Sequence, residues 1–277
     1  MIPAILNPAT KQRLASVRQH LPHALLLEGV PGVGLGTIAR ELAHSDQAIF
    51  IQPVDAKGEP DSEAGTISVA TIRALYEQTR AKQLSKQVYI IDNAERMSPG
   101  ATAAFLKLLE EPTPQTHFIL TSHAPLRLLP TIHSRVQSIV VEPLLDEQTK
   151  QLLDQLEVRD QKIATQLVYL GGGLPAELTR LTKDSDYFKQ RALVMTDTRT
   201  LLTGTLYEKL LVVHAYHGDR LRALQLLGSA LTVVRRSLSA KPQATLVRQL
   251  DTLLQTKERI EANGNTRLQL MAFVVQL

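Results

Sequence analysis

The chain has no cysteine and no tryptophan, and only 4% of its 277 residues are aromatic. Without cysteine there are no disulfides and no thiolate metal sites, which fits a reducing cytosol. With so few aromatics the core has to rest on Leu, Ile, Val and Ala. No apolar run reaches the roughly 18 residues that a membrane span requires. Met1 to Arg13 contain no apolar core of a secretion signal. No run of Lys or Arg stands out either. The net charge of +4 and pI near 9.3 are compatible with nucleic-acid contact but do not argue for it. What remains is a cytoplasmic globular protein without a membrane partner. Its 44% apolar and 21% charged residues are ordinary for that class, and its length allows two or three domains. There is no repeat period and no low-complexity tract.

A further absence is local. Residues 29–37 read Gly29-Val30-Pro31-Gly32-Val33-Gly34-Leu35-Gly36-Thr37. An active phosphate-binding loop has the pattern G-x-x-x-x-G-K-[ST]. Gly29 and Gly34 hold its two ends and Gly32 lies between them. Leu35 stands where the lysine belongs, and Gly36 where the Mg²⁺-binding hydroxyl belongs. The second nucleotide element expected is an apolar strand ending in Asp-Glu. Here it is Val88-Tyr89-Ile90-Ile91-Asp92-Asn93. Asp92 can still orient a hydrated Mg²⁺, but the amide of Asn93 cannot serve as the base that polarises water. The alternative for this segment is a buried strand ending in a polar turn. Leu35, Gly36 and Asn93 together remove three parts of the phosphoryl-transfer machinery. The expectation is a chain that has lost hydrolysis and nucleotide affinity with it, and that has no cofactor or metal of its own.

The first half alternates strand and helix patterns. Candidate strands are residues 24–28, 48–52, 88–91, 117–121 and 138–142, mostly continuous apolar runs of the kind buried on both faces of a parallel sheet. Helical patterns cover about 35–44, 68–84 and 98–110. Ser68 marks one start, and Ser98-Pro99 gives another an N-cap with proline in the first turn. This implies an α/β domain with a doubly wound parallel sheet of about five strands, with ligands at the carboxyl ends of the strands, where the glycine loop falls. After Pro143 the strand signals stop. Residues 144–185 read as a small helical unit interrupted by Gly171-Gly172-Gly173 and Pro175. Residues 186–277 read as helices separated by Gly204, Gly218-Asp219, Lys241-Pro242 and Asn263-Gly264-Asn265. The expected domains are therefore 1–143, 144–185 and 186–277.

A third element is Thr131-Ile132-His133-Ser134-Arg135, which follows the turn signal Leu128-Leu129-Pro130 and precedes the last strand. An isolated arginine at such a tip is by default one half of a surface ion pair. Its planar, permanently charged guanidinium is also suited to bidentate phosphate contact. At this point the sequence resembles the clamp-loader AAA+ family of bacterial DNA polymerase III, its delta-prime branch above all. The resemblance rests on residues 22–29, on Ile67–Arg73, on Val88–Met97 and on Ala104-Phe105-Leu106-Lys107-Leu108-Leu109-Glu110-Glu111-Pro112. It continues through Phe118–Thr121, Leu129–Arg135 and Asn265–Leu270, and so covers nearly the whole chain.

The resemblance implies an AAA+ domain, a helical lid and an oligomerising helical collar. It implies that Arg135, with Ser134, acts in trans as an arginine finger on a neighbour's ATP. Its implied partners are clamp-loader ATPase subunits and the delta subunit, with the sliding clamp and primer-template DNA reached through the complex. Val136 replaces the cysteine of the family's Ser-Arg-Cys motif. The four zinc-binding cysteines found in many members are missing, because Glu41 to Asp46 run almost directly into the next strand. The arginine that senses the γ-phosphate in active members aligns with Ala176. The expected function is a non-catalytic subunit that helps load the clamp. The alternatives are an active ATPase motor of the same family and a standalone DNA-binding AAA+ relative.

Weaker candidates read more simply. Thr121, at a sensor position, is structural. Glu110 and Glu111 have the alternative of a catalytic carboxylate pair, but are expected to end a helix before Pro112 and face a neighbouring subunit. His214 and His217 lack a third metal ligand. Arg235, Arg236 and Lys241 lie on a solvated helix face.

Overall fold

The structure, a computed structural model, describes residues 4–43, 48–62, 64–80, 86–111 and 113–276. These fall into two compact units, Met1–Thr182 and Lys183–Leu277.

The first unit opens with helix α1 (Pro8–Gln19), followed by β1 (Ala24–Glu28), α2 (Leu35–Ala43) and β2 (Ile49–Ile51). Then come α3 (Val69–Arg80), β3 (Gln87–Ile91), α4 (Pro99–Glu110), β4 (Thr116–Ser122), the short α5 (Pro130–His133) and β5 (Gln137–Val140). The strands form one parallel sheet in the order β2-β3-β4-β1-β5. All five expected strands are present, β1 with the expected bounds and the others with ends shifted by at most two residues. The apolar runs have the reason expected for them only in the middle of the sheet. β1, β3 and β4 are buried along most of their length, whereas the edge strands β2 and β5 are partly exposed.

The period of two along a strand divides the core. Leu26, Tyr89, Ile91, Phe118 and Leu120 pack with Ile72, Leu75, Ala101, Phe105 and Leu108 of α3 and α4. Leu25, Leu27, Val88, Ile90 and Ile119 pack with Leu14 and Val17 of α1 and with Leu35, Ile38 and Leu42 of α2. Phe118 meets Phe105 edge-on, with ring centroids 5.3 Å apart at 84°. Such aromatic pairs add about 0.5–1.5 kcal/mol to the area they bury.

Helix α1 has no counterpart in the sequence reading. Its buried stripe is narrow, Thr10, Leu14 and Val17, in an otherwise polar stretch. What fixes it is tertiary. Asn7 caps it by accepting from the Ala9 amide (2.9 Å) and donates through Nδ2 to Pro143 O (2.7 Å), while Thr10 Oγ1 accepts from the Glu142 amide (2.9 Å). Helix α3 begins after Ser68 as expected, its Oγ accepting from the Thr71 amide. The expected residues 81–84 of that helix, residue 44 of α2 and Pro112 lie outside the described residues.

The unit closes with α6 (Asp146–Gln155), α7 (Gln161–Gly171) and α8 (Pro175–Lys183). The break between α7 and α8 falls at the expected glycines and proline, whereas that between α6 and α7, where Asp160 caps α7, was not foreseen. The second unit consists of α9 (Ser185–Thr203), α10 (Leu206–Tyr216), α11 (Arg220–Ala240), α12 (Ala244–Glu261) and α13 (Thr266–Gln276). Every break falls at an expected Gly, Pro or Asn site. Its core gathers Leu201, Val213, Leu226, Leu227, Leu253 and Phe273. Within it the fully buried Tyr216 donates its hydroxyl to Asp197 Oδ2 at 2.7 Å. Burial and this carboxylate push the phenol well above its ordinary range. Among the described residues no helix is long and apolar enough to cross a membrane.

Candidate functional site

The loop from residue 29 to 34 leaves the carboxyl end of β1 and turns into α2. Gly32 and Gly34 have φ values of +86° and +94°, a region that side-chain-bearing residues rarely enter. Several of the loop's carbonyls are already engaged. Gly29 O accepts from His123 Nδ1–H at 2.8 Å and Val30 O from the Val33 amide at 3.2 Å. Gly32 O accepts from the Ala176 amide in the first turn of α8 at 3.0 Å. Leu35 is 2% exposed and belongs to the core behind the sheet. A Cβ added to Gly36 would lie 3.7 Å from Asp92 Oδ1 and 3.8 Å from Arg40 Nη1. The Arg40 guanidinium itself sits 4.2 Å above the ring of Phe50.

Asp92 and Asn93 follow β3. The Thr121 hydroxyl, fully buried on the adjacent β4, donates to Asp92 Oδ1 at 2.6 Å and accepts from the Asn93 amide at 3.0 Å. Asn93 has φ 51° and ψ 56°, a left-handed conformation in which Asn is enriched. Gly36, Asp92, Asn93 and Thr121 are thus brought to one edge, where a phosphate loop and an acidic strand end meet. Thr121 is a structural link at that edge.

Arg135 is on a different element. Ile132, fully buried, anchors α5 in the core, and His133 Nε2–H donates to Pro125 O at 2.9 Å. The turn that follows presents Ser134 and Arg135. Arg135 Nη2 donates to Glu110 Oε1 at 2.9 Å, and Nη1 donates to both Thr131 O and Ser134 Oγ at 3.1 Å. Ser134 Oγ–H in turn donates to Thr131 O at 3.1 Å. Arg135 therefore sits in an ion pair inside its own chain, and Glu110, at the last position of α4, is its partner.

Sequence reasoning missed that pairing, along with two residues beside the loop. His123 follows β4 and fastens Gly29, and Glu95 Oε1 accepts from the His123 amide at 3.0 Å. A polar residue two places after Thr121, at the same sheet edge, was the available signal. A groove of about 670 Å³ between α3 and α4, lined by Val69, Arg73, Tyr76, Gly100, Ala104 and Lys107, contains none of the expected site residues. His214 and His217 stack with centroids 5.2 Å apart, and His217 Nδ1–H donates to His214 O. Among the described residues no three His, Cys, Asp or Glu side chains gather into a metal site.

Comparison with known proteins gives this geometry its context. Residues 7–145 match the family model described as DNA polymerase III, delta subunit. The chain is 30% identical over 198 residues to the DNA polymerase III subunit delta' of Bacillus subtilis, covering 64% of this chain and 59% of that protein. It is also 30% identical over 214 residues to subunit delta' of Pseudomonas aeruginosa, covering 69% and 64%. The matched region thus spans about three fifths of the length of these relatives. Among solved structures, a DNA polymerase III gamma subunit-related protein from Thermotoga maritima shares the fold, with a TM-score of 0.56 at 19% identity, over 96% of this chain and 97% of that one. The five-stranded sheet and the helices after it are those of an AAA+ protein, and the chain belongs to the DNA polymerase III delta-subunit family, with delta' subunits among its relatives.

Proposed function

We propose that this chain is a non-catalytic AAA+ subunit of a replicative clamp loader. It assembles with ATPase subunits and the delta subunit through residues 186–277, uses 144–185 as the lid of its first domain, and offers Arg135 to a neighbour's ATP. The sliding clamp and primed DNA are then reached through the complex, in the cytoplasm.

The observation that carries the reading is Leu35. At the lysine position of a phosphate loop whose turn is intact, its side chain is buried in the core. The residues present do not fit a magnesium nucleotide. No ammonium or hydroxyl stands at 35 and 36, Asn93 is not a base, and the lid contributes at Ala176 only a backbone amide, which is bonded to Gly32 O. An arginine on an exposed turn is, by contrast, retained. Arginine fingers are worth on the order of 10³–10⁵ in rate where they have been measured.

Three measurements test this. In complex with its ATPase subunits, Arg135→Ala should assemble normally and lower the DNA-stimulated ATPase by at least about tenfold. Unchanged ATPase and clamp loading would sink the proposal. The isolated chain should not bind a fluorescent ATP analogue at micromolar concentration, whereas a motor subunit would. Salt-dependent DNA binding by the chain alone would favour a standalone DNA-binding relative.

A further inference from the structure

We infer that Glu110 is a latch on Arg135, a carboxylate that competes with the neighbour's phosphate for the same guanidinium edge. The inference rests on Arg135 acting in trans.

The geometry separates two kinds of contact. Nη1 donates to Thr131 O and Ser134 Oγ, both on the turn that carries Arg135. These neutral acceptors move with the arginine and fix the stem of the fork. Nη2 donates instead to Glu110 Oε1, 25 residues earlier on α4. That bond is charge-assisted, and carboxylate and phosphate are matched by the same planar guanidinium donors. To present Nη2 to a phosphate, the arginine must leave Glu110. A carboxylate left at that spot also repels an approaching polyphosphate. Both effects oppose engagement of the neighbour's nucleotide.

The pair is accessible enough to exchange. Arg135 and Glu110 have side-chain exposures of 35% and 52%, which places their interaction among exposed ion pairs of modest strength. A latch of this kind delays engagement without preventing it. It parks the finger in the free chain, where an unpaired arginine on an exposed turn would pair with any available anion. Glu110 is therefore a positioning residue acting through Arg135.

The test is steady-state ATPase kinetics of the chain assembled with its ATPase subunits, comparing wild type, Arg135→Ala, Glu110→Gln and the double variant. Glu110→Gln should lower KM for ATP about two- to fivefold, the range of an exposed ion pair, with kcat changed less than KM. The double variant should match Arg135→Ala in both constants. The stability of Glu110→Gln in the isolated chain should fall by no more than the worth of one exposed ion pair, and that of Arg135→Ala by a similar amount, so that the change in KM reports the latch and not loss of the fold. If Arg135→Ala lowers activity while Glu110→Gln leaves KM unchanged or raises it, the latch is wrong and the finger stands. If Arg135→Ala itself changes nothing, the finger reading fails and takes the latch with it.

Discussion

A half-buried imidazole shows how one residue ties the sheet's stability to pH. His117 on β4 donates from Nδ1 to Pro22 O at 2.9 Å, and His23, just before β1, donates from its Nδ1 to Thr116 O at 3.1 Å. The two rings stitch the amino ends of the central strands. Burial depresses the pKa of His117 below its ordinary value of 6.5; the bond to Pro22 O opposes this, and nearby Lys86 and His23 add to the effect of burial. Above pH 6.5 the ring is neutral folded or unfolded, and the site costs nothing. As pH falls through 6.5 the unfolded chain takes up a proton that the folded chain refuses, so stability falls. Below the depressed folded pKa both states are protonated and the loss levels off. Urea unfolding at pH 7.5 and 5.5 should therefore show a smaller acid loss for His117→Asn, whose amide can keep the donor to Pro22 without the titration. Equal losses in the two proteins would rule the assignment out.

Helix α4 is the element that joins core and site. It starts at Ser98, whose Oγ accepts from the Ala101 amide at 3.2 Å, with Pro99 in its first turn. It buries Phe105 and Leu108 against the sheet and ends at Glu110 beside Arg135. Ser98→Ala should destabilise the first unit by about 1 kcal/mol, and Ser98→Gly by only a few tenths. Chemical denaturation of the two variants checks this, and a Ser98→Ala variant as stable as the wild type would mean that the hydroxyl is not the cap. At this scale much of the fold was legible beforehand. The central strands announce themselves because burial on both faces demands continuous apolar runs, and the later helices because Gly204, Gly218 and Pro242 interrupt them. Helix α1 was not legible, since a stripe of Thr10, Leu14 and Val17 gains its meaning from contacts with residues 142 and 143. The candidate site divides in the same way. The glycine loop, Asp92-Asn93 and Ser134-Arg135 are motifs written in consecutive residues. The bonds from Ala176 to Gly32, from His123 to Gly29 and from Arg135 to Glu110 join distant segments that only folding brings together.

At the scale of the whole molecule the proposed function requires a surface for assembly, and the second unit supplies a specific candidate. On α10, Leu206, Tyr207, Leu210 and Leu211 are exposed. The pairs 206–210 and 207–211 are each four apart, so they lie along one side of the helix. On α13, which packs against α10, Leu268 and Val275 are exposed seven residues apart. Large apolar side chains gathered on neighbouring helices mark an interaction surface more often than chance exposure does. Helix α10 is otherwise well built. The Thr205–Glu208 capping box closes its first turn, and the bonds from Thr205 hold the Glu208 carboxyl below its ordinary range. Its exposed leucines are therefore not the product of a frayed end. Under the proposed function, residues 186–277 would offer this face to neighbouring subunits. Tyr207→Lys together with Leu211→Lys should leave the isolated chain folded, because substitutions at exposed sites are usually within about 0.5 kcal/mol of neutral. The same pair should place two charges in the interface and abolish co-elution with the ATPase subunits in size-exclusion chromatography. Arg135→Ala should do the reverse, co-eluting normally while losing ATPase stimulation. If the lysine variant still co-elutes, assembly runs through another surface, and the exposed face of α10 must be assigned to a different contact.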